Sequence, residues 1–420
     1  MRQHLTNLNA SLQAWEERAT GLLPPTVRRN MRVDLTAAMF FGPFVAGLAF
    51  LPVVMRRLGA SPEWLAFYTV QNFIGFLLTP ISALVMPRRS GLLRFGMTFW
   101  LLSRGSFLLI AFLADARSLI LLTLFFWIVE SFPVPVYTRL MQAAYPARSR
   151  GRVIALIRVG MSFTSLVVTP LAGWLLDAAG HRALFPLLSL SAVVSTVIFS
   201  RLQLADADLP ESPPVSTAGL LRAALQDRRF LLYLAALVVF GLGLLSGLAL
   251  QPLVQVDQLA LSYGAIGLLS VVQSAFFLAG YVLWGRLIDR RGGVWVMRRV
   301  FLAAAVVPAC YLFAVSGLAG SSAWLLAPAF AAMGLVNAGM DVGVLNTVMQ
   351  LAPADRLGEY SALQTMVLGA RGLIAPFLGV WLVQGLDLPY AVVFGLGLAL
   401  IAAAVVVLLR IRVTGEGATG

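Results

Sequence analysis

From residue 34 onward the chain is a succession of long apolar runs separated by short polar stretches rich in arginine. The runs lie near 34–56, 63–86, 92–113, 118–142, 151–176, 183–201, 230–254, 264–288, 296–316, 323–351, 358–384 and 389–410. Each is close to the roughly 20 residues a helix needs to cross the hydrocarbon core of a bilayer. A membrane-spanning barrel would instead show segments of about ten residues with alternating character. The pattern predicts an all-α polytopic membrane protein with twelve transmembrane helices.

Three stretches stand outside the spans. In residues 1–33, Leu5, Leu8, Leu12, Trp15, Ala19 and Leu22 recur at helical spacing and mark one face of an amphipathic helix. That helix would lie either on the inner membrane surface or against the cytoplasmic face of the protein itself. It lacks a continuous apolar core and carries Glu16 and Glu17, so it does not read as a secretory signal. Residues 202–229 hold Asp206, Asp208, Pro210, Glu211, Pro213 and Pro214 and read as a cytoplasmic linker. It divides the spans into a bundle over 34–201 and another over 230–410, followed by a cytoplasmic tail, 411–420.

An internal repeat supports that division. Pro146-Ala-Arg-Ser-Arg-Gly151 ahead of helix 5 is answered by Pro353-Ala-Asp-Arg-Leu-Gly358 ahead of helix 11. Pro170-Leu-Ala-Gly173 is answered by Pro376-Phe-Leu-Gly379, and Arg88-Arg89-Ser90-Gly91 by Arg290-Arg291-Gly292-Gly293. Three matches in the same order, about half a chain apart, indicate two homologous six-helix halves.

Composition sharpens the picture. The 420 residues are 60% hydrophobic and 12% charged, with a mean hydropathy of +0.87. A soluble domain is about 25% charged, so an ordinary water-soluble enzyme is excluded. All 31 basic residues are Arg, and the net charge is +13. With the N-terminus inside, 23 arginines fall in cytoplasmic segments and four (Arg56, Arg57, Arg117 and Arg182) in outer loops. The positive-inside rule then places both chain ends in the cytoplasm, in a bacterial inner membrane, and explains the charge without nucleic acid. Arg56 and Arg57 run against that trend. A single cysteine, Cys310, and two histidines, His4 and His181, offer neither a disulfide nor a metal cluster. The chain has no phosphate-binding loop of the G-x-x-x-x-G-K-[ST] type and no cofactor motif.

Gly285-Arg-Leu-Ile-Asp289-Arg290-Arg291-Gly292 resembles the G-x-x-x-D-R-x-G signature of the major facilitator superfamily. The resemblance covers roughly residues 32–411 and implies two pseudo-symmetric six-helix bundles around one cavity. It also implies a conformational latch: Gly285 would let two helices approach, Asp289 would face a helix N-terminus or Arg356, and Arg290 would pair with acids or lipid phosphate. The other reading is a solvated cluster of loop charges. In the first half Pro87 stands where Asp289 stands and Ala83 replaces Gly285, so the latch is asymmetric. Thr169-Pro170-Leu-Ala-Gly173 resembles a fragment of the family's antiporter signature, with Thr169 and Trp174 replacing glycines. Because Ala375-Pro376-Phe-Leu-Gly379 repeats it, it reads mainly as packing and bending.

Six charges fall inside spans: Arg104, Glu130, Arg139, Arg158, Asp341 and Arg371. Intramembrane charges face a cavity or a partner. Asp34 and Asp257 lie near span ends and read as interfacial. In helix 4, Pro133 and Pro135 would free the carbonyls of Val129 and Ser131 beside Glu130 and create a polar niche. Helix 10, with Gly334, Asn337, Gly339, Asp341, Gly343 and Asn346, looks like a second interrupted segment. Glu130 would couple protons to transport or form a structural pair with Arg104; Asp341 would couple protons or pair with Arg371 or Arg158. Trp127, Tyr137, Asn337 and Asn346 would contact substrate.

The expected function is secondary active transport of a small organic solute by alternating access in the lipid bilayer, coupled to protons, with export ahead of anion or metabolite uptake. A transporter-fold sensor or assembly factor is the rival from another class. The chain is expected to work as a monomer, and not as an enzyme.

Overall fold

In the computed structural model the described residues are almost wholly helical. The structure describes residues 24–87, 91–204, 227–317, 322–353 and 356–411. The amphipathic stretch expected over 1–22, most of the linker and most of the tail lie outside the described residues.

The helices follow the apolar runs. The first half holds α1 (Pro25–Leu48, continued by Leu51–Arg57), α2 (Pro62–Val85), α3 (Leu92–Ser106 with the 3-10 turn Phe107–Phe112), α4 (Ala116–Ser131 and Pro133–Ala144), α5 (Ala147–Ala179) and α6 (His181–Phe199). The second holds α7 (Arg228–Ser246, then Gln251–Leu253 and the π turn Val254–Gln258), α8 (Tyr263–Arg291), α9 (Gly293–Ala304 and Val306–Val315), α10 (Ala323–Leu326 and Ala327–Leu351), α11 (Leu357–Gln384) and α12 (Tyr390–Leu409). Among the described residues, eleven of these elements are long and apolar enough to cross a membrane; α2 is the element not counted among them.

One boundary differs from expectation in a way that matters. The first helix starts at Pro25, not near 34, because proline at the first helical position needs no hydrogen-bond partner for its nitrogen. Asp34 therefore lies well inside α1.

The packing of the two halves is the same, six helices apart. In the first, α1 packs on α5 and α6, α2 on α4, and α3 on α4 and α6; in the second, α7 packs on α11 and α12, α8 on α10, and α9 on α10 and α12. The halves meet along α5–α8 and α2–α11.

The side where α1 begins at Pro25 and α12 ends at Leu409 is the terminal face, and the opposite side the far face. The halves are joined at the far face. Arg56 of α1 pairs with Asp257 of α7 at 2.6 Å. The Asp177 carboxylate of α5 accepts from the Tyr263 and Gly264 N–H groups, at 3.1 and 2.7 Å, at the start of α8. Arg57 lies 3.8 Å over the Tyr263 ring and donates to the Leu261 carbonyl. These contacts account for the two arginines that ran against the charge trend: each leans on a partner from the second half. One buried apolar core, including Phe50, Leu51, Leu250 and Val254, spans both halves here. Toward the terminal face, Leu92, Trp100, Leu140, Tyr145 and Val153 form a separate cluster within the first half alone.

Candidate functional site

Two cavities matter. One, of about 360 Å3, lies wholly within the first half and is lined from α1, α3, α4, α5 and α6. It gathers the charges: Asp34, Arg104, Glu130 and Arg158, with Tyr137 and Trp100. The other, of about 620 Å3, lies between the halves and takes walls from α1, α2 and α4 on one side and α7 to α10 on the other. No Asp, Glu, Arg or His stands among its described lining residues.

In the charged cavity, Glu130 is fully engaged. Arg104 donates to it at 3.1 Å and the Ser103 hydroxyl donates to its other oxygen. Arg104 also donates to the Thr196 hydroxyl at 2.8 Å, and its guanidinium lies 4.2 Å over the Phe41 ring. The niche expected around Glu130 does not form as expected. The Val129 carbonyl that Pro133 would leave free accepts from the Phe132 N–H at 3.3 Å, because the chain tightens by one residue at the break. Ser82 of α2 donates to the Phe132 carbonyl and ties α2 to the same break.

Asp34 is the residue that sequence reading misplaced. It is 3% exposed rather than interfacial, and it accepts from the Tyr145 hydroxyl at 3.0 Å. Pro25 was the signal that could have found it, since a helix starting there carries Asp34 two and a half turns inward. Arg158 makes no hydrogen bond or ion pair with a described residue. It lies within electrostatic reach of Asp34 and Tyr137 in its own half and of Tyr281 in the other. Tyr281 in turn donates to Asp341 at 2.5 Å.

The remaining intramembrane charges are placed apart. Asp341 pairs with neither Arg371 nor Arg158. Arg371 is buried, donates to the Leu237 carbonyl at 2.6 Å and packs its stem against Gly241, where a Cβ would collide with it. Arg139 is buried and donates to the Pro87 carbonyl at 3.2 Å, at the end of α2. Asn346 bonds back to the Val342 carbonyl of its own helix. Trp127 and Asn337 line the cavity between the halves, whereas Tyr137 lines the charged one. From Ala327 to Leu351, α10 is unbroken; its glycines serve packing instead, Gly334 against the Gln273 carbonyl of α8 and Gly343 against Met297 of α9.

The latch motif is also rearranged. A Cβ on Gly285 would meet nothing within 4 Å, so no described helix packs closely there. The glycine with a structural task is Gly292, left-handed at φ 80°, which ends α8 and lets Gly293 start α9. Gln350 of α10 holds that turn, its side chain accepting from the Val294 N–H at 3.1 Å. Asp289 and Arg290 are exposed, and among the described residues no ion pair joins Asp289 to Arg356.

A sequence profile of the Major Facilitator Superfamily matches residues 245–419. No curated protein sequence matches the chain. Solved structures match nearly end to end. The nucleoside transporter NupG, as a point mutant, aligns over 91% of this chain and 99% of its own, with a TM-score of 0.68 at 11% identity. A bacterial homologue of the iron transporter ferroportin aligns in its inward-facing state over 91% and 98%, with a TM-score of 0.68 at 18% identity. In its outward-facing state with soaked iron it covers 93% and 99% and scores 0.60 at 19% identity. The second half of the chain thus matches the Major Facilitator Superfamily profile, and the chain as a whole shares the fold of solved membrane transporters.

Proposed function

We propose that this chain carries a small organic solute across a bacterial inner membrane by alternating access, driven by protons, with both chain ends in the cytoplasm. The terminal face is then cytoplasmic. The contacts closing the far face, and the higher score to an inward-facing relative than to its outward-facing form, support an inward-facing state. Export is the direction we assign, on the likeness of Thr169–Gly173 to the antiporter signature. That segment lies at the seam with α8, where Gly173 abuts the Tyr263 carbonyl.

The observation that carries the coupling is that Arg158 makes no hydrogen bond or ion pair with a described residue, yet lies within electrostatic reach of Asp34 in its own half and of Tyr281, the donor to Asp341, in the other. A lone cation that drew on Asp34 in one conformation and on Asp341 in the other could not neutralise both carboxylates at once. Protonating one releases the arginine to the other, and a rocking motion that changes their distances would exchange a proton for solute movement. Glu130, already held by Arg104 and Ser103, is then a structural residue.

Proton flux evoked by organic solutes in proteoliposomes tests this. Asp34→Asn and Asp341→Asn should each abolish it, while Glu130→Gln that folds should retain it. Full proton-linked flux in both Asp variants would sink the assignment. Solute binding with no movement across the bilayer would favour a sensor.

A further inference from the structure

We infer that the solute bound between the halves is uncharged, and that it carries a flat ring with several hydroxyl or amide groups. This rests on reading that cavity as the transport site.

Asn72 of α2, Gln251 of α7, Gln273 of α8 and Asn337 of α10 line the cavity, and none makes a side-chain hydrogen bond to a described residue. Elsewhere in the interior, carboxamides are committed. Gln71 donates to the Ile120 carbonyl, Gln255 to Tyr311 and Gln364 to Tyr233, at 2.6 to 2.9 Å. Four uncommitted amides from four helices of both halves are therefore a recognition surface. Each offers two donors and two acceptor lone pairs. Such a set can satisfy the hydroxyl and amide groups of a solute, which would be costly to bury unmet.

Charge is disfavoured by the same walls. An ion leaving water for this cavity would find no counter-charge among its lining residues, and burial of an unpaired ion is strongly unfavourable. The cations that could meet an anion are placed elsewhere: Arg104 and Arg158 in the first-half cavity, and Arg371 against the Leu237 carbonyl. A metal ion would find neither carboxylate nor imidazole in the wall. Trp127 and Phe330 add aromatic side chains to which a flat ring can pack. The volume, about 620 Å3, falls within the range of small-molecule sites.

The test uses the full chain in nanodiscs, with binding followed by melting shift and by titration. Neutral probes are uridine and nicotinamide. Charged counterparts are uridine monophosphate, nicotinate and Co2+. At least one neutral probe should bind, at least tenfold more tightly than its charged counterpart or Co2+. Asn337→Leu and Gln273→Leu should each weaken that probe tenfold or more, with the ligand-free melting point unchanged. Tighter binding of a charged probe, no binding by any neutral probe, or undiminished affinity in both Leu variants would overturn the inference. Proton flux in matching proteoliposomes keeps the two readings separate. A neutral probe that binds without proton-linked movement leaves this inference standing and removes the coupling mechanism. A proton-linked anion does the reverse.

Discussion

The Arg56 guanidinium, at the end of α1, meets the Asp257 carboxylate, at the end of α7, at 2.6 Å and so pins one half to the other at the far face. The pair is partly exposed, 26% and 37% at the two side chains. An exposed pair contributes about 0–1 kcal/mol, a modest term for stability. For an equilibrium between two conformations, about 1 kcal/mol is already a fivefold change in ratio. Arg56→Ala with Asp177→Ala should therefore open the far face several-fold more often. With Cys310→Ser as background, labelling of Ser270→Cys by an impermeant maleimide added at the far face should accelerate. High salt should move the intact protein in the same direction. Unchanged labelling would show that apolar packing alone closes this face.

Glu130→Gln should harm folding more than coupling. It leaves Arg104 buried at 8% exposure without its anion. Breaking one side of a buried pair costs about 3–5 kcal/mol. Thermal melts should show a clear drop for Glu130→Gln, and restoration toward wild type in the double variant Arg104→Met with Glu130→Leu.

The two glycines Gly285 and Gly379 should respond oppositely to alanine. A Cβ on Gly285 has open space around it, so Gly285→Ala should be neutral or stabilise by up to about 1 kcal/mol through helix propensity. A Cβ on Gly379 would collide with the Ser246 carbonyl of α7, a backbone group that cannot swing aside. Overpacking of this kind costs about 1–3 kcal/mol. Comparing melting midpoints of the two variants checks both expectations.

Asp115 gives a pH prediction. Its carboxylate caps α4 by accepting from the Ser118 N–H at 2.9 Å, and that bond holds the carboxyl below its usual range. A depressed value contributes stability above the unfolded value of about 3.9 and loses it as pH falls through the folded one. Asparagine caps equally well without titrating. The wild type should therefore lose melting temperature relative to Asp115→Asn only below about pH 4.

The helices were legible because lipid burial is a one-dimensional demand: enough consecutive apolar residues to cross the hydrocarbon core. The expectation of two halves rests on a local signal as well, since the repeated Pro-Ala-x-x-x-Gly segments are short. Asp34 was misread because Arg28, Arg29 and Arg32 give its surroundings the look of an interface, although Pro25 starts the helix first. The partners of Asp341 and Arg371 could not be read from sequence. They depend on how each helix is rotated about its axis, which packing between helices decides. The same rotation brings Asn72, Gln251, Gln273 and Asn337 to one wall, and no spacing in the sequence joins residues so far apart.

The charged pocket belongs to the first half alone, whereas the amide-lined hollow straddles both. On the proposed coupling, ion and cargo need not contend for one seat. Acidifying the medium would alter how often the carrier turns over rather than how tightly it grips what it carries. Cargo and hydronium would then behave as independent passengers whose only shared dependency is the motion of the vehicle.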